Sequence, residues 1–253
     1  MRLDLATWQE VDAYLNSGPS SMPARGILLP TGSTEQHGPM GLIGTDTLCA
    51  TAIAEAAAER AAVYMAPPIG YTPAPFNMGF AGTVSLSVPV FSALLGEVVD
   101  ALLSHGFGFV YILNGHGANI EVIEQLAAQH PEGRVHFNSW WALKGVNALR
   151  QALYGEWEGM HATPSEVAIT QAVHRVVAAG DAATPPQPLS TEYIRAHSGD
   201  RHGPAAEHRL QFPDGRVGSH SALATPEDGT RLMELAVTAL AAELDQLHAG
   251  CIT

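Results

Sequence analysis

The amino-acid sequence predicts an α/β fold, with three layers and a mainly parallel central sheet between two layers of helices. Short apolar runs alternate four times with stretches of helical length. This alternation is typical of a parallel sheet covered by helices. Loops rich in glycine and polar residues follow several of the apolar runs, and in such folds ligands bind at the carboxyl ends of the strands.

Four short apolar runs are the predicted strands. The clearest is GFVYILNG, because it combines aliphatic and aromatic residues and is bounded by glycines. The first run, ILLP, precedes a glycine-rich loop, and the second run is broken by its prolines. In chain order the predicted strands cover residues 27–30, 62–69, 108–115 and 134–141.

Four of the predicted helices follow a serine or threonine that can act as N-cap. These residues are Thr7, Ser87, Thr163 and Thr225. Glu10 and Glu166 each lie three residues after one of these threonines, which makes two capping boxes. The predicted helices end near Ser17, 61, 105, 129, 154, 177 and 248.

Residues 180–223 interrupt this pattern, since proline, serine, histidine and glycine dominate there and the periodicity is weak. A segment of this length is too long for an idle loop in a compact domain. Two placements remain open for this segment: at the mouth of a ligand-binding site, or in contact with a neighbouring subunit. With no internal repeat and no evident linker, we expect residues 1–253 to form a single domain.

The composition excludes several classes of function. The chain has 12 basic and 25 acidic residues, for a net charge of −13, which argues against a nucleic acid or an anionic membrane as partner. No apolar run approaches the roughly 20 residues of a membrane span, and the first residues do not resemble a signal peptide. Cys49 and Cys251 suggest no disulfide framework. We therefore predict a cytoplasmic protein.

The first candidate site lies in LPTGSTEQHGPMGLIGTD, residues 29–46, which follows the first predicted strand. Glu35, His37 and Asp46 are oxygen and nitrogen donors without a thiolate, a set that suits Zn, Mn or Fe. An alternative is that Asp46 or Thr45 is only the N-cap of the next helix. In that case Glu35 and His37 would be an ordinary polar pair on a loop.

Three more candidates occur later in the chain. His116 lies in NGHGAN, directly after the clearest strand, so it shares the predicted sheet edge with Glu35 and His37. Glu166, in HATPSEVAIT, is open to two interpretations, a metal ligand or the glutamate of a capping box. His161 precedes that capping box and has no evident packing role.

Taken together, GSTEQHG with the following Asp46, then NGHGAN, then the pattern H-A-x₃-E resemble the creatininase family of metal-dependent amidohydrolases. The resemblance covers roughly residues 25–170 and implies a creatininase-like fold with two divalent metal ions. It implies that Glu35 and His116 hold one metal, that His37 holds the other, and that Asp46 bridges them. Creatininase has a glutamate two residues after the NGH histidine, where this chain has Ala118, so Glu166 is the implied replacement.

The family mechanism is hydrolysis of a non-peptide C–N bond, in a cyclic amide such as creatinine or in a formamide. A hydroxide shared by two metals attacks the carbonyl carbon. His161 matches the family's acid/base histidine, and an ordinary histidine pKa near 6.5 suits proton transfer at neutral pH.

The substrate side departs from the family pattern. Trp157 and Trp141 are the implied substrate-covering residues, with Trp157 preferred because its EWEG surroundings are polar. Asn77 occupies the loop PAPFNMGFAGT, where many members have an acid–histidine pair. The substrate is therefore expected to be a small amide that the sequence does not specify.

The residues leave two other functions open. A dinuclear phosphoesterase would use basic residues to hold phosphate, and none lies in the sequence near the candidate ligands. A non-catalytic, metal-binding oligomeric scaffold is suggested by Ala118 and by the altered HATPSEVA spelling. The resemblance also implies a homo-oligomer, in the family a hexamer.

Overall fold

A computed structural model describes residues 1–17, 25–130, 133–199 and 201–250. Four strands in this part of the chain form one sheet in the order β2-β1-β3-β4, and every neighbouring pair is parallel. The predicted parallel sheet is confirmed. The strands are β1 Gly26–Thr31, β2 Tyr64–Met65, β3 Phe109–Asn114 and β4 Val135–Ser139.

Nine α-helices occur in the described residues. Those that the sequence predicted begin within a few residues of their expected positions, and the capping boxes at Thr7 and Thr163 are both formed. The helices are α1 Trp8–Asn16, α2 Thr45–Arg60, α3 Val88–Ser104, α4 Ile120–Ala128, α5 Val146–Tyr154, α6 Pro164–Val173, α7 Thr191–Ala196, α8 Ala205–Gln211 and α9 Pro226–His248.

The three layers follow from the alternation of side chains along β1 and β3. Leu28 and Tyr111 belong to a hydrophobic core that also contains residues of α2, α5, α6 and α9. Ile27 and Ile112 belong to a second core with residues of α1, α3 and α4. Since both faces of the central strands are buried, each face packs against its own layer of helices.

The register places the carboxyl ends of three strands side by side. Thr31 of β1 pairs with Asn114 of β3, and Asn114 pairs with Ser139 of β4. The loops that follow carry Glu35 and His37 after β1, and His116 after β3. One edge of the sheet therefore collects the predicted ligands.

Some predicted boundaries were wrong. The predicted strand at 62–69 is reduced to Tyr64–Met65, with Pro67 and Pro68 beyond it, because proline cannot donate a hydrogen bond to a neighbouring strand. The helix expected to reach residue 177 ends at Val173. Gly44 is the N-cap of α2, so Asp46 lies within the first turn and is not the cap.

Two helices that belong to residues 180–223, α7 and α8, lie next to the candidate site. The His208 ring of α8 is 5.2 Å from the ring of Phe76, and Ile194 of α7 lines the same cavity as His116 and His161. Of the two placements considered for this segment, the structure shows the site mouth. Cys251 lies outside the described residues. No described helix is both long and apolar enough to span a membrane.

Candidate metal centre

Five acidic and imidazole side chains meet at the carboxyl edge of the sheet, and all are buried. They come from the loops after β1 and β3 and from the first turns of α2 and α6. These residues are Glu35, His37, Asp46, His116 and Glu166. Residues far apart in the chain are thus brought to one place by the parallel sheet.

The first group consists of Glu35, Asp46 and His116. His116 Nε2 is 2.8 Å from the carbonyl oxygen of Pro73, which can only accept, so Nε2–H donates to it. In the neutral imidazole the lone pair of Nδ1 then faces Glu35 Oε1 at 3.2 Å and Asp46 Oδ2 at 3.1 Å. Neither of these buried oxygens receives a well-formed hydrogen bond from the described residues. Three electron-pair donors facing one another are the arrangement of a cation site.

The second group consists of His37, Asp46 and Glu166. His37 Nδ1 lies 3.1 Å from the carbonyl oxygen of Glu35, and its Nε2 lies 2.9 Å from Asp46 Oδ1 and 3.9 Å from Glu166 Oε1. The same rule applies, because one ring nitrogen is oriented by a backbone carbonyl and the other faces carboxylates. The two groups share Asp46, with one oxygen facing each.

A third group combines Glu35 and His37 with His161. His161 Nε2 is 2.7 Å from the carbonyl oxygen of Gln36, and its Nδ1 is 3.7 Å from Glu35 Oε1. The rings of His37 and His161 are 4.4 Å apart. His161 therefore adjoins both other groups, and it also lines the cavity in front of them.

The pKa shifts in the cluster indicate that its buried carboxylates need compensating positive charge. Burial raises the pKa of Glu35, and it raises the pKa of Glu166 to about 7. Burial also opposes ionisation of Asp46, but His37 and His116 hold its pKa well below the usual range. In turn burial would lower the pKa of His37, yet the neighbouring carboxylates raise it to about 10. Buried carboxylates require compensating cations, so this donor set fits divalent metal ions.

Glu166 has both of the local features that the sequence suggested as alternatives. The Thr163 N–H donates to Glu166 Oε1 at 2.6 Å, and the Glu166 N–H donates to Thr163 Oγ1 at 3.3 Å, so the capping box is complete. The same carboxylate faces His37 and Asp46. Oε1 makes both contacts, with the Thr163 N–H and with His37 Nε2. Capping and coordination are compatible, because the carboxylate has a second oxygen that the capping box does not use.

Asn77 forms a hydrogen bond to the cluster but does not line the cavity. It is completely buried, its Nδ2 donates to Glu35 Oε2 at 3.0 Å, and its Oδ1 accepts from Gln36 Nε2 at 2.7 Å. The sequence suggested a substrate contact at this position, but the structure does not place Asn77 in the cavity wall. Its amide instead orients the carboxylate of Glu35.

The NGHG loop is held by its own asparagine. Asn114 Nδ2 donates to the carbonyl oxygen of His116 at 2.7 Å, and the His116 N–H donates to Asn114 Oδ1 at 3.1 Å. A Cβ atom on Gly115 would lie 2.3 Å from the backbone oxygen of Asp46. Glycine is needed there because this loop must approach α2 closely enough for His116 to reach Asp46.

A cavity of about 210 Å³ opens onto the cluster. Trp141 lines it, as the sequence suggested, and so does Trp140, but Trp157 lies outside the lining and has its ring 5.7 Å from His220. Further lining residues are Asp46, His116, Ile120, Arg150, Met160, His161, Thr163, Glu166, Ile194 and Ser198. A larger cavity of about 440 Å³, between residues 186–190 and 211–218, contains none of the candidate ligands.

Sequence reasoning missed Arg150. The expectation that no basic residue lies near the ligands was wrong. Arg150 is distant from them in the sequence, but in the folded protein α5 brings it into the cavity wall. Its side chain is paired with Glu158, at 2.7 Å between Nη2 and Oε1. Arg150 has no motif around it, so only the packing of α5 against α6 could reveal it.

Comparison with known proteins agrees with this geometry. The sequence model of a family described as creatininase, creatinine amidohydrolase, matches residues 4–244. The chain belongs to the creatininase family. A creatininase structure described as the Mn form superposes with a TM-score of 0.73 at 22% identity, covering 98% of both chains. At that identity the likeness establishes the shared fold.

Two relatives of the chain are named for different substrates. A mycofactocin precursor peptide peptidase of Mycobacterium ulcerans is 37% identical over 126 residues, 46% of this chain and 49% of that protein. A 3-dehydro-scyllo-inosose hydrolase of Thermotoga maritima is 38% identical over 92 residues, 36% of this chain and 30% of that protein. The aligned stretches thus span about half or less of these relatives.

Replacing Asn77 with leucine should destabilise the protein even without substrate. The change removes the donor to Glu35 Oε2 and the acceptor of Gln36, and leaving such buried groups unpaired costs about 1–3 kcal/mol. Urea unfolding of the wild type and the Asn77→Leu variant measures this cost. Asn16→Leu on the exposed face of α1 is the matched control and should change stability little. Equal stability of Asn77→Leu and wild type would contradict the positioning role.

Proposed function

We propose that this protein is a dinuclear metal-dependent hydrolase that cleaves a C–N amide bond in a small, non-peptide substrate. The observation that carries the proposal is the position of Asp46, whose two oxygens face His116 on one side and His37 on the other. Glu35, Asp46 and His116 would hold one cation, and His37, Asp46 and Glu166 the other. A pair of divalent ions, Zn, Mn or Fe, supplies Lewis acidity and makes water acidic enough to act as a nucleophile near neutral pH.

His161 is the residue that we assign to proton transfer. Its Nε2 is held by the carbonyl oxygen of Gln36, which fixes the ring and leaves Nδ1 on the side of Glu35. Because His161 also lines the cavity, it can take a proton from the attacking water and deliver it to the leaving nitrogen as the C–N bond breaks. Trp141, on the cavity wall, would cover a flat substrate.

The size of the cavity favours a small substrate. A volume of about 210 Å³ equals that of roughly seven water molecules. This is the scale of a cyclic amide such as creatinine, or of a formamide. One relative is named as a peptide peptidase, so a peptide amide is the main competing substrate class, and a peptide would have to extend beyond this cavity.

We further propose that the protein is a cytoplasmic homo-oligomer. Exposed apolar side chains cluster in sequence around α3, and a contact between copies would cover them. They are Tyr71, Met78, Val84, Val88, Val90 and Leu94. Light scattering on purified protein should give a mass that is a multiple of the 26.7 kDa chain. A single-chain mass at micromolar concentration would contradict the assembly, and cell fractionation tests the location.

The two roles of Glu166 can be separated by two substitutions. Glu166→Gln keeps an oxygen that can accept from the Thr163 N–H, since glutamine also serves in a capping box, but it removes the negative charge. Elemental analysis should find about two metal ions per wild-type chain and about one in Glu166→Gln. Glu166→Ala should lose the same metal ion and also about 1 kcal/mol of helix capping.

Asp46→Asn should lose both metal ions, because Asp46 belongs to both groups. Asp12→Asn, an exposed acid on α1, is the matched control and should retain both. Two metal ions in Glu166→Gln would mean that Glu166 is only a helix cap. One ion or none in the wild type, even after reloading with Zn or Mn, would overturn the dinuclear site.

His161→Asn should lower kcat by about 100- to 10,000-fold, the usual contribution of a general acid or base, while both metal ions are retained. The measurement uses metal-loaded protein with lactams, formamides and short peptides as candidate substrates. His174→Asn, at the far end of α6, is the control and should leave turnover unchanged. A loss of metal in His161→Asn would instead make this residue a ligand in the third group. Turnover of peptides alone would overturn the non-peptide assignment.

A further inference from the structure

One cationic side chain lines the active-site cavity in the part of the chain that the structure describes, and the chemistry above does not use it. Arg150 belongs to α5, and only 13% of its side chain is exposed. Its guanidinium carbon lies 5.5 Å from the ring centre of Trp140, another wall residue. A guanidinium stacked on an aromatic ring is fixed in orientation.

The hydrogen bonds of Arg150 leave part of the guanidinium available. Nε donates to Glu158 Oε1 at 2.9 Å, and Nη2 lies 2.7 Å from the same oxygen. Nη1 donates to Asn147 Oδ1 at 3.3 Å. Arginine has five N–H donors, so one on each Nη remains without a partner among the described residues. These two donors belong to a side chain that faces the cavity.

A chain of short contacts places Arg150 next to the metal groups. Arg150 Nε is 3.1 Å from Ser165 Oγ, and Ser165 Oγ is 3.1 Å from Thr163 Oγ1. Thr163 is the residue that caps α6 together with Glu166. The guanidinium thus lies beside the first turn of α6, separated from the group of His37, Asp46 and Glu166 by two hydroxyl side chains.

We propose that Arg150 forms a subsite for a carboxylate group of the substrate, on the wall that α5 contributes. The inference rests on the proposed function, which it deepens by naming the substrate class as a small amide that also carries a carboxylate. With one available N–H on each Nη, the guanidinium can donate to both oxygens of one carboxylate. Glu158 holds the guanidinium from the other edge, so binding requires little rearrangement.

The charge of the site favours a monoanion over a phosphate. With two divalent cations, four positive charges face the three carboxylates of Glu35, Asp46 and Glu166, and Arg150 is balanced by Glu158. While the bound water is neutral, the remaining charge of about one positive unit matches one carboxylate, and this charge falls to about zero once the water loses its proton. A phosphate dianion would be left with an uncompensated charge in a largely buried cavity.

The test compares two probes that differ only in the charged group, N-formylglycine and N-formylglycinamide. On Zn-loaded wild-type protein we expect the carboxylate to bind about 10- to 100-fold more tightly than the amide, the usual strength of hydrogen bonds to charged groups. Calorimetry gives Kd for probes that are not turned over, and KM and kcat are measured for those that are. N-formylaminomethylphosphonate is the phosphate-like probe.

The variants are chosen so that a folding defect cannot be mistaken for a binding effect. Arg150→Met alone would leave Glu158 buried and unpaired, so the main variant is the double substitution Arg150→Met with Glu158→Gln. Its metal content should match that of the wild type, and its preference for the carboxylate probe should fall to near one. Arg150→Lys keeps the charge but not the pair of N–H donors. Its preference for the carboxylate probe should therefore lie between those of the wild type and the double variant. Arg60→Met with Glu234→Gln, which removes an exposed ion pair and likewise leaves the net charge unchanged, is the matched control and should keep the wild-type preference.

Each outcome decides the proposal. A carboxylate preference that survives in the double variant would mean that the probe binds the metal ions, and the subsite would be overturned. Tighter, Arg150-dependent binding of the phosphonate would overturn the assignment to a carboxylate. If both formamides are hydrolysed with equal kcat/KM, the subsite falls and the hydrolase function stands. If neither is hydrolysed but the Arg150-dependent preference is measured, the subsite stands and the amidohydrolase assignment is weakened.

Discussion

The carboxylate of Asp46 is the point on which the candidate site depends. It is buried, and its two oxygens face two histidines that come from different loops, His37 after β1 and His116 after β3. A carboxylate that is removed from water must be compensated. The first turn of α2, the two loops and the N-terminus of α6 are all arranged around this requirement. Any displacement of α2 along its axis would therefore disturb both halves of the site at once.

The parallel sheet makes this convergence possible. Register between β1, β3 and β4 places Thr31, Asn114 and Ser139 in one row, so the loops that follow begin at the same height. Backbone carbonyls then orient the imidazoles, that of Glu35 for His37 and that of Pro73 for His116. Because each histidine has one nitrogen used in this way, the other is directed at carboxylates. The fold thus contributes precise orientation as well as proximity.

The cavity wall formed by α5 and α6 adds a cationic side chain, Arg150, to the acidic and imidazole side chains of the candidate ligands. Glu166 takes part in the N-terminal capping box of α6 and faces His37, while Arg150 and Glu158 form a largely buried ion pair beside it. Burying an ion pair brings little stability compared with apolar packing. The proposed carboxylate subsite would give this ion pair a role in substrate recognition.

Much of the fold and of the candidate site could be predicted from the sequence alone. Alternating apolar runs and capping residues predicted the parallel sheet, the two capping boxes and the last helix, because hydrophobic periodicity and local hydrogen bonds act over a few residues. The glycine-rich loops after the strands indicated that Glu35, His37 and His116 would share an edge, and family motifs added Glu166 and His161.

Only the tertiary structure decided the rest. It showed that capping and facing His37 are compatible for Glu166, and that Asn77 does not line the cavity but orients Glu35. It brought Arg150 to the wall and left Trp157 outside it. It also showed that the second strand has only two residues, Tyr64–Met65. The physical reason is the same in each case, since these outcomes depend on the packing of segments far apart in the chain, and no local pattern records which side chains such packing brings together.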